Sequence, residues 1–381
     1  MKHLLITAGL LLLFSCSSKR SYSSISQCEK HIKPARAKAV HFLVNNQHPS
    51  GSWGDPGKTK GLNIYCPGPN AHLSYRVATT ALCIMALTEE VESPGVKKAL
   101  KKSLRYVFKV YPYVKRADSR WVGNNWTHAY LIRAMIRVRP LFPELKSEID
   151  KCLKSQVKAL HTYAYLNGGW GYYDFKYQTR ISSGSSTSFT TATCLIALHE
   201  AEKAGFKSSP VLLKKAFYSL IKQRNVDNTF FYSDGFWKSP KNKINTKEGS
   251  CGRTQGCLLA LYLWNKDKVT QDTLNEGLDM LVRFERWLDI GRKKPRPHES
   301  FFAVAGYFYY YGHFYGSEAL INSKGNREKQ LLYLSKTIVD RQERNGLWFD
   351  FSLYNYGDFY GTAFGLMSLQ NYQKVIDDLK S

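Results

Sequence analysis

The sequence predicts an all-α fold, an (α/α)6 toroid with six inner and six outer helices, and two interleaved patterns predict it. The first is a set of six segments in which a polar or small-residue lead-in runs into a tight apolar helix. They are TTALCIMAL around Ala81, THAYLIRAMI around Ala129, TTATCLIAL around Ala192, TQGCLLALYL around Gly256, AVAGYFYYYG around Gly306 and YGTAFGLMSL around Ala363. Each is apolar on nearly every side, which calls for burial on all faces. The second is a set of amphipathic, Lys-rich helices between them: Pro34–Asn46, Val96–Tyr111, Glu144–His161, Val211–Arg224, Thr270–Arg286 and Arg327–Arg344. In Val96–Tyr111, for example, Ala99, Leu100, Leu104, Val107 and Phe108 form one stripe, while Lys97, Lys98, Lys101 and Arg105 face elsewhere. The apolar segments recur at intervals of 48 to 64 residues, a period that belongs to a repeat architecture rather than to two unrelated domains. The terminal units carry no special polar face, which favours a closed ring over an open solenoid.

The chain has 381 residues, with 55 Lys+Arg against 30 Asp+Glu and a formal charge of +25. Its hydrophobic share of 43% excludes wholesale disorder, and one long apolar run excludes a multi-span membrane protein. The charge predicts a surface that attracts anions, although much of it lies on the outer faces of the Lys-rich helices. No zinc-finger spacing, RNA-binding aromatic motif or basic zipper is present, so nucleic acid is not an expected partner.

The N-terminus bears on the compartment. Lys2 precedes an apolar run from Leu4 to Phe14, too short for a stable span and shaped like a secretory leader. Leu13-Phe14-Ser15-Cys16 resembles a bacterial lipobox. That resemblance implies cleavage before Cys16, acylation of Cys16 and anchoring in membrane lipid. It also implies a cell-envelope location, in the outer membrane if the host has one. The expected division is residues 1–15 as leader, 16–33 as a polar tether and 34–381 as the toroid. Seven further cysteines leave an odd number, with no CxxC, and Cys83 and Cys194 read as buried small apolar residues.

Two outer helices end in one motif. Gln47-His48-Pro49-Ser50-Gly51-Ser52-Trp53 and Gln342-Glu343-Arg344-Asn345-Gly346-Leu347-Trp348 both read QxxxGxW. Gly168-Gly169-Trp170 keeps the GxW half, and Gln223 followed by Phe230-Phe231 looks like a decayed copy. The expected physics is a helix C-terminus, with Gln on a last-turn backbone group, Gly left-handed and Trp folded over the next inner helix. With these motifs the chain resembles the terpene-cyclase and protein-prenyltransferase repeat superfamily from about Pro34 to Tyr372. The resemblance implies parallel inner helices around a central cavity. The catalytic motifs of that superfamily do not follow. No D-x-D occurs, and the only adjacent pair is Asp377-Asp378. Where the prenyltransferases carry a zinc-ligand His after Asp-Phe-Tyr, this chain has Gly361. No metal and no cofactor are expected, and whether the chain is an enzyme stays open. Cys251-Gly252-Arg253-Thr254-Gln255 only loosely resembles an internal-thioester motif and reads better as a helix N-terminus.

Parallel inner helices would bring six positive N-termini to one mouth. The candidate ligand-binding residues there are Arg76, Asn125, His128, Arg253, Thr254, His298, Glu299, Tyr356 and Asp358. Tyr75, Thr79, Trp126 and Tyr360 stand beside them in the same lead-ins. Aromatics with Asn, Arg and His suit a glycan or an anionic or amphipathic lipid. The alternatives are a polysaccharide lyase acting on acidic glycans and a diverged terpene cyclase.

Overall fold

The computed structural model of the chain describes residues 21–57, 68–118, 121–174, 185–235, 238–325, 327–352 and 354–381. Cys16 and the proposed leader therefore lie outside the described residues. Twelve α-helices occur among those described: α1 Ile25–Asn45, α2 Pro69–Leu87, α3 Val96–Val110, α4 Asn124–Val138, α5 Lys146–Tyr163 and α6 Ser188–Lys203, then α7 Pro210–Ile221, α8 Lys247–Trp264, α9 Gln271–Gly291, α10 Phe308–Asn322, α11 Arg327–Asp340 and α12 Tyr356–Lys380. The even-numbered helices pack in order, α2 on α4 round to α12 and back on α2, so they close an inner ring. The odd-numbered helices form the outer ring.

The two patterns in the sequence map onto the two rings. In α6 every residue from Ser188 to Leu198 is buried, as the all-round apolar pattern requires. In α3 the buried residues include Ala99, Leu100, Leu104 and Val107, while Lys97, Lys98 and Lys101 are exposed. One boundary differs from the prediction. α1 starts at Ile25 and runs through Pro34, so residues 25–33, predicted as tether, are helix. A proline inside a helix costs about 3 kcal/mol. Burial of Cys28 and Ile32, with Cys28 Sγ 3.0 Å from Ser335 Oγ on α11, offsets that cost.

The QxxxGxW segments lock the rings together: Trp348 packs on Gly365 of α12, the next inner helix, as expected, while Gln takes a role different from the expected one. The Trp caps its own outer helix: the Nε1–H of Trp53, Trp170 and Trp348 donates to Leu43 O, Leu160 O and Ile338 O at 2.8, 2.9 and 2.8 Å. Their backbone N–H groups donate to Thr80, Thr191 and Thr362 on the adjoining inner helix. The Gln instead reaches the next outer helix. Gln47 Nε2 donates to Ala99 O at 2.9 Å, and Gln342 Nε2 donates to Ala35 O at 2.8 Å. The second bond joins the last repeat to the first and so closes the outer ring. Gly346 sits at φ 92° with its Cα against α1, where an added Cβ would meet Lys38 O at 2.5 Å, so only glycine serves there. The decayed copy is one residue along from Gln223. Arg224 takes the Gln place and donates to Lys268 O, Asn228 takes the left-handed place at φ 64°, and Phe230 fills the Trp place.

The C-terminal halves of the inner helices meet at the closed end of the ring. Buried Arg133 of α4 donates from Nε and Nη2 to Glu200 of α6 at 3.0 and 2.8 Å, and from Nη2 to Glu318 of α10 at 2.5 Å. Its guanidinium lies over the rings of Phe314 and Tyr315. Here a cation sits among helix C-termini, where the helix dipoles favour it. The N-terminal halves open the other way, around the cavity.

Candidate functional site

The cavity opens to solvent at its mouth and has an interior volume of about 130 Å³. Eleven of its fourteen lining residues are aromatic, and the others are Ala78, Thr79 and Leu82, so the wall is apolar and carries no charged group among the described residues. The inner helices supply most of it from their N-terminal halves: Tyr75 from α2, Trp126 from α4, Phe189 from α6, Tyr311 from α10 and Tyr360 from α12. Trp126 stacks on Tyr172 at 5.4 Å between centroids, and Phe189 meets Phe308 edge-on at 4.9 Å. Such offset and edge contacts hold the rings in place before any ligand arrives.

The polar atoms on this wall are mainly phenol hydroxyls, and the wall itself ties most of them down. Tyr311 Oη donates to Phe189 O at 3.0 Å. Tyr172, Tyr232 and Tyr307 form a chain of hydroxyls that ends on His298, whose Nε2 lies 3.4 Å from Tyr307 Oη. His298 Nδ1 donates to Ala303 O at 2.6 Å, which leaves Nε2 as the acceptor. Both His298 and Ala303 have positive φ, 66° and 54°, conformations that cost a side-chain-bearing residue about 1–3 kcal/mol. Burial, helped by Arg253, lowers the His298 pKa. Elsewhere on the wall, Tyr360 Oη donates to Asp350 Oδ1 at 2.8 Å. Asp350 is fully buried, and its Oδ2 accepts the Tyr310 N–H at 3.1 Å. Desolvation raises its pKa to about 7, against the hydrogen bonds from Tyr360 and Tyr310 and the field of Arg292.

The nine candidate residues gather around this end of the ring, yet none is among the fourteen that line the cavity. They stand a layer behind the wall or on its rim. Arg253 donates to Gly249 O in the first turn of α8 at 2.9 Å and to the loop carbonyls of Phe230 and Ile244 at 2.8 and 2.6 Å. Burial lowers its pKa to about 10. Asn125 donates to Gly171 O, Thr254 to Ser250 O, and His128 bonds Gln156 and stacks on Tyr163 of α5. Tyr356 reaches His72, Glu299 pairs with Arg296 on the surface, Arg76 reaches Tyr106, and burial raises the Asp358 pKa. His298 touches a lining residue, Tyr307. The lead-in residues Tyr75, Thr79, Trp126 and Tyr360 do line the cavity. Phe189, Tyr172, Phe351 and Asp350 are additions from the structure, and only aromatic residues in the first turns of inner helices would have marked any of them.

No protein-family model and no curated protein matches this chain. Solved structures do match. One is a variant of the type II terpene cyclase MstE from Scytonema, in complex with geranylgeranyl dihydroxybenzoate, at TM-score 0.52, 13% identity, 90% of this chain and 98% of that one. The fold is a terpene-cyclase-like α/α toroid. An inactive α-1,6-mannanase variant of Salegentibacter sp., with two adjacent aspartates replaced by alanine and α-1,6-mannotetrose bound, matches the toroid at TM-score 0.57. It shares 12% identity over 91% of this chain and 99% of that one. A family 76 glycoside hydrolase from a bovine Bacteroides thetaiotaomicron strain matches at TM-score 0.55 and 11% identity, over 92% and 78%.

The toroid departs from such chemistry at defined positions. All acidic residues of the chain are described, because no undescribed residue is Asp or Glu. The Asp377-Asp378 pair is exposed at the far end of α12, with Asp378 paired to Arg327. At Gly361 a Cβ would stand 2.5 Å from Trp348 O, so the helix has no room for a zinc-binding histidine there. The residues present do not fit the prenyltransferase metal. Cys251 and Gln255 lie within α8, where Gln255 Nε2 donates to Gly277 O at 2.8 Å.

Proposed function

We propose that the toroid takes up an amphipathic ligand and buries its apolar chain in the central cavity. The observation that carries this reading is the wall itself, aromatic and uncharged, whose hydroxyls are mostly engaged by partners within the protein. Aromatic faces reward apolar area, at about 25 cal/mol per Å² removed from water. An acidic glycan would find no cation on the described wall to offset its desolvation. The likeness in fold to a terpene cyclase solved with a geranylgeranyl compound agrees with a long apolar ligand.

Titration of the purified protein with prenyl alcohols of 10, 15 and 20 carbons, followed by quenching of tryptophan fluorescence, tests the reading. Affinity should climb at least tenfold per added five-carbon segment, with Trp126 at the wall as reporter. Affinity that ignores chain length, or that is greater for oligouronates, would contradict it.

We further propose that acylated Cys16 holds the toroid at a membrane of the cell envelope, where such a ligand partitions. The support is the Leu13–Cys16 sequence and the two or more acyl chains that stable anchoring takes. Cys16→Ser should move the protein from the detergent-rich to the aqueous phase on Triton X-114 partition. Unchanged partition would remove the anchor.

A further inference from the structure

Two phenols on one wall of the cavity are each backed by a buried titratable group, and the two backings are of opposite kind. Tyr307 faces a histidine nitrogen that can only accept, since the other ring nitrogen is committed to Ala303 O. Tyr360 faces a carboxyl group sealed from water. The Asp350 oxygens are not equivalent. Oδ2 accepts the Tyr310 N–H, so in the neutral acid the proton resides on Oδ1, pointing at the Tyr360 oxygen. Tyr360 Oη donates to Oδ1 of the ionised carboxylate; with the proton on Oδ1 the bond reverses, and the Tyr360 hydrogen can turn into the cavity. Tyr307 and Tyr360 are near enough for each to feel the other's charge. Tyr232, edge-on to His298, and Arg253, over the Tyr232 ring, complete the surroundings of the histidine, and Arg292 those of the carboxyl group.

We propose that Tyr307 and Tyr360 form a proton-transfer site in which Tyr307 relays a proton to His298 and Tyr360 donates one, acting on an apolar molecule that carries an enolisable carbonyl. This rests on the reading of the cavity as an apolar-chain site and adds a reaction to it. The carbonyl oxygen accepts the Tyr360 hydrogen. The C–H bond next to the carbonyl breaks as its proton passes to the Tyr307 oxygen and the phenol proton moves to His298 Nε2. The electron pair becomes the enol double bond. The Tyr360 proton passes to the carbonyl oxygen, and Asp350 refills Tyr360. Running the steps backward returns the ketone, and reprotonation at a conjugated γ-carbon would instead shift a double bond. No oxidant, metal or second substrate is needed. Burial moves the two backing groups in opposite directions, the carboxyl up to about 7 and the imidazole down, which suits an acid and a base that act together near neutral pH. The left-handed backbone at both His298 and Ala303 is the strain expected where a chain is held for chemistry rather than for packing.

Farnesylacetone in deuterated buffer is the probe, with binding read by tryptophan quenching and deuterium uptake by mass spectrometry on the same samples. The full chain should speed uptake next to the carbonyl by about 100-fold or more over buffer. Tyr307→Phe and His298→Gln should each lose at least tenfold of that rate while still binding the ketone. The wild-type rate should fall on the alkaline side as Asp350 ionises. Asp350→Asn, whose amide cannot return a proton to Tyr360, should lose at least tenfold of the exchange rate and with it the alkaline limb, and loss of that limb is a change that a purely structural role for Asp350 would not produce. Binding without accelerated exchange overturns this proposal and leaves the cavity reading standing. Absence of binding overturns both.

Discussion

Trp348→Ala should lower the stability of the toroid by about 3–5 kcal/mol, the range for removing a buried tryptophan from a core. Trp348 is fully buried, and Gly361 and Gly365 of α12 lie directly against it. Its loss leaves a cavity between α11 and α12, strips the Ile338 carbonyl of its donor and frees the segment that carries Gln342 toward α1. The effect should therefore exceed that of Trp126→Ala, because Trp126 is only half-buried and already borders empty space. Urea unfolding followed by far-UV circular dichroism measures both. Equal midpoints for the two variants would show that the Trp348 segment does not hold the ring together.

Asp350→Asn should stabilise the protein above pH 7 by up to about 4 kcal/mol. Asp350 has its pKa raised from 3.8 to about 7 in the native state, so the folded chain binds the proton more tightly than the unfolded chain. Stability therefore falls as pH rises through that interval, and each pKa step of one is worth about 1.4 kcal/mol. Burial raises the pKa values of Glu285 and Asp358 as well, whereas Asp289 and Glu200 work the opposite way. Burial of Asp289 is outweighed by Arg341 and Arg292, and burial of Glu200 by Arg133, so both pKa values are lowered and their contributions vanish only in acid. Buried His128 and His313, whose pKa values burial lowers to about 4 and about 3, raise stability with pH over the same interval in both proteins, so the Asp350 effect is read as the difference between them. Thermal unfolding from pH 5 to 7 should show the Asp350→Asn midpoint gaining steadily on the wild-type midpoint as pH rises. Parallel slopes for the two proteins would mean that Asp350 is ionised throughout.

The rings were legible in the sequence because each leaves a periodic trace. An inner helix such as α6 must be apolar all round, and an outer helix such as α3 must be so on one stripe. The start of α1 was not legible, because Pro34 is a stronger local stop signal than the burial of Cys28 and Ile32 is a start signal, and that burial is set by α11. The position of the cavity end was legible too, since helix N-termini lie where the lead-ins are. Its wall was harder to read. Polar residues in a lead-in have backbone to satisfy, as Arg253 and Asn125 do, while the wall falls to aromatics that look like ordinary core. Asp350 and His298 gain their character from neighbours forty or more residues away, Tyr310 and Arg253, a juxtaposition that no local pattern records.

Blocking the cavity from within tests the central claim most directly. Ala78 is a small lining residue, and Ala78→Trp would place an indole in the space proposed for the ligand. Calorimetric titration with farnesol should give one site on the wild-type chain, with the negative heat-capacity change of apolar burial. Ala78→Trp should bind at least 100-fold more weakly while its unfolding midpoint and helical spectrum stay near wild type. Undiminished farnesol binding by a folded Ala78→Trp protein would contradict the assignment of the central cavity as the ligand site.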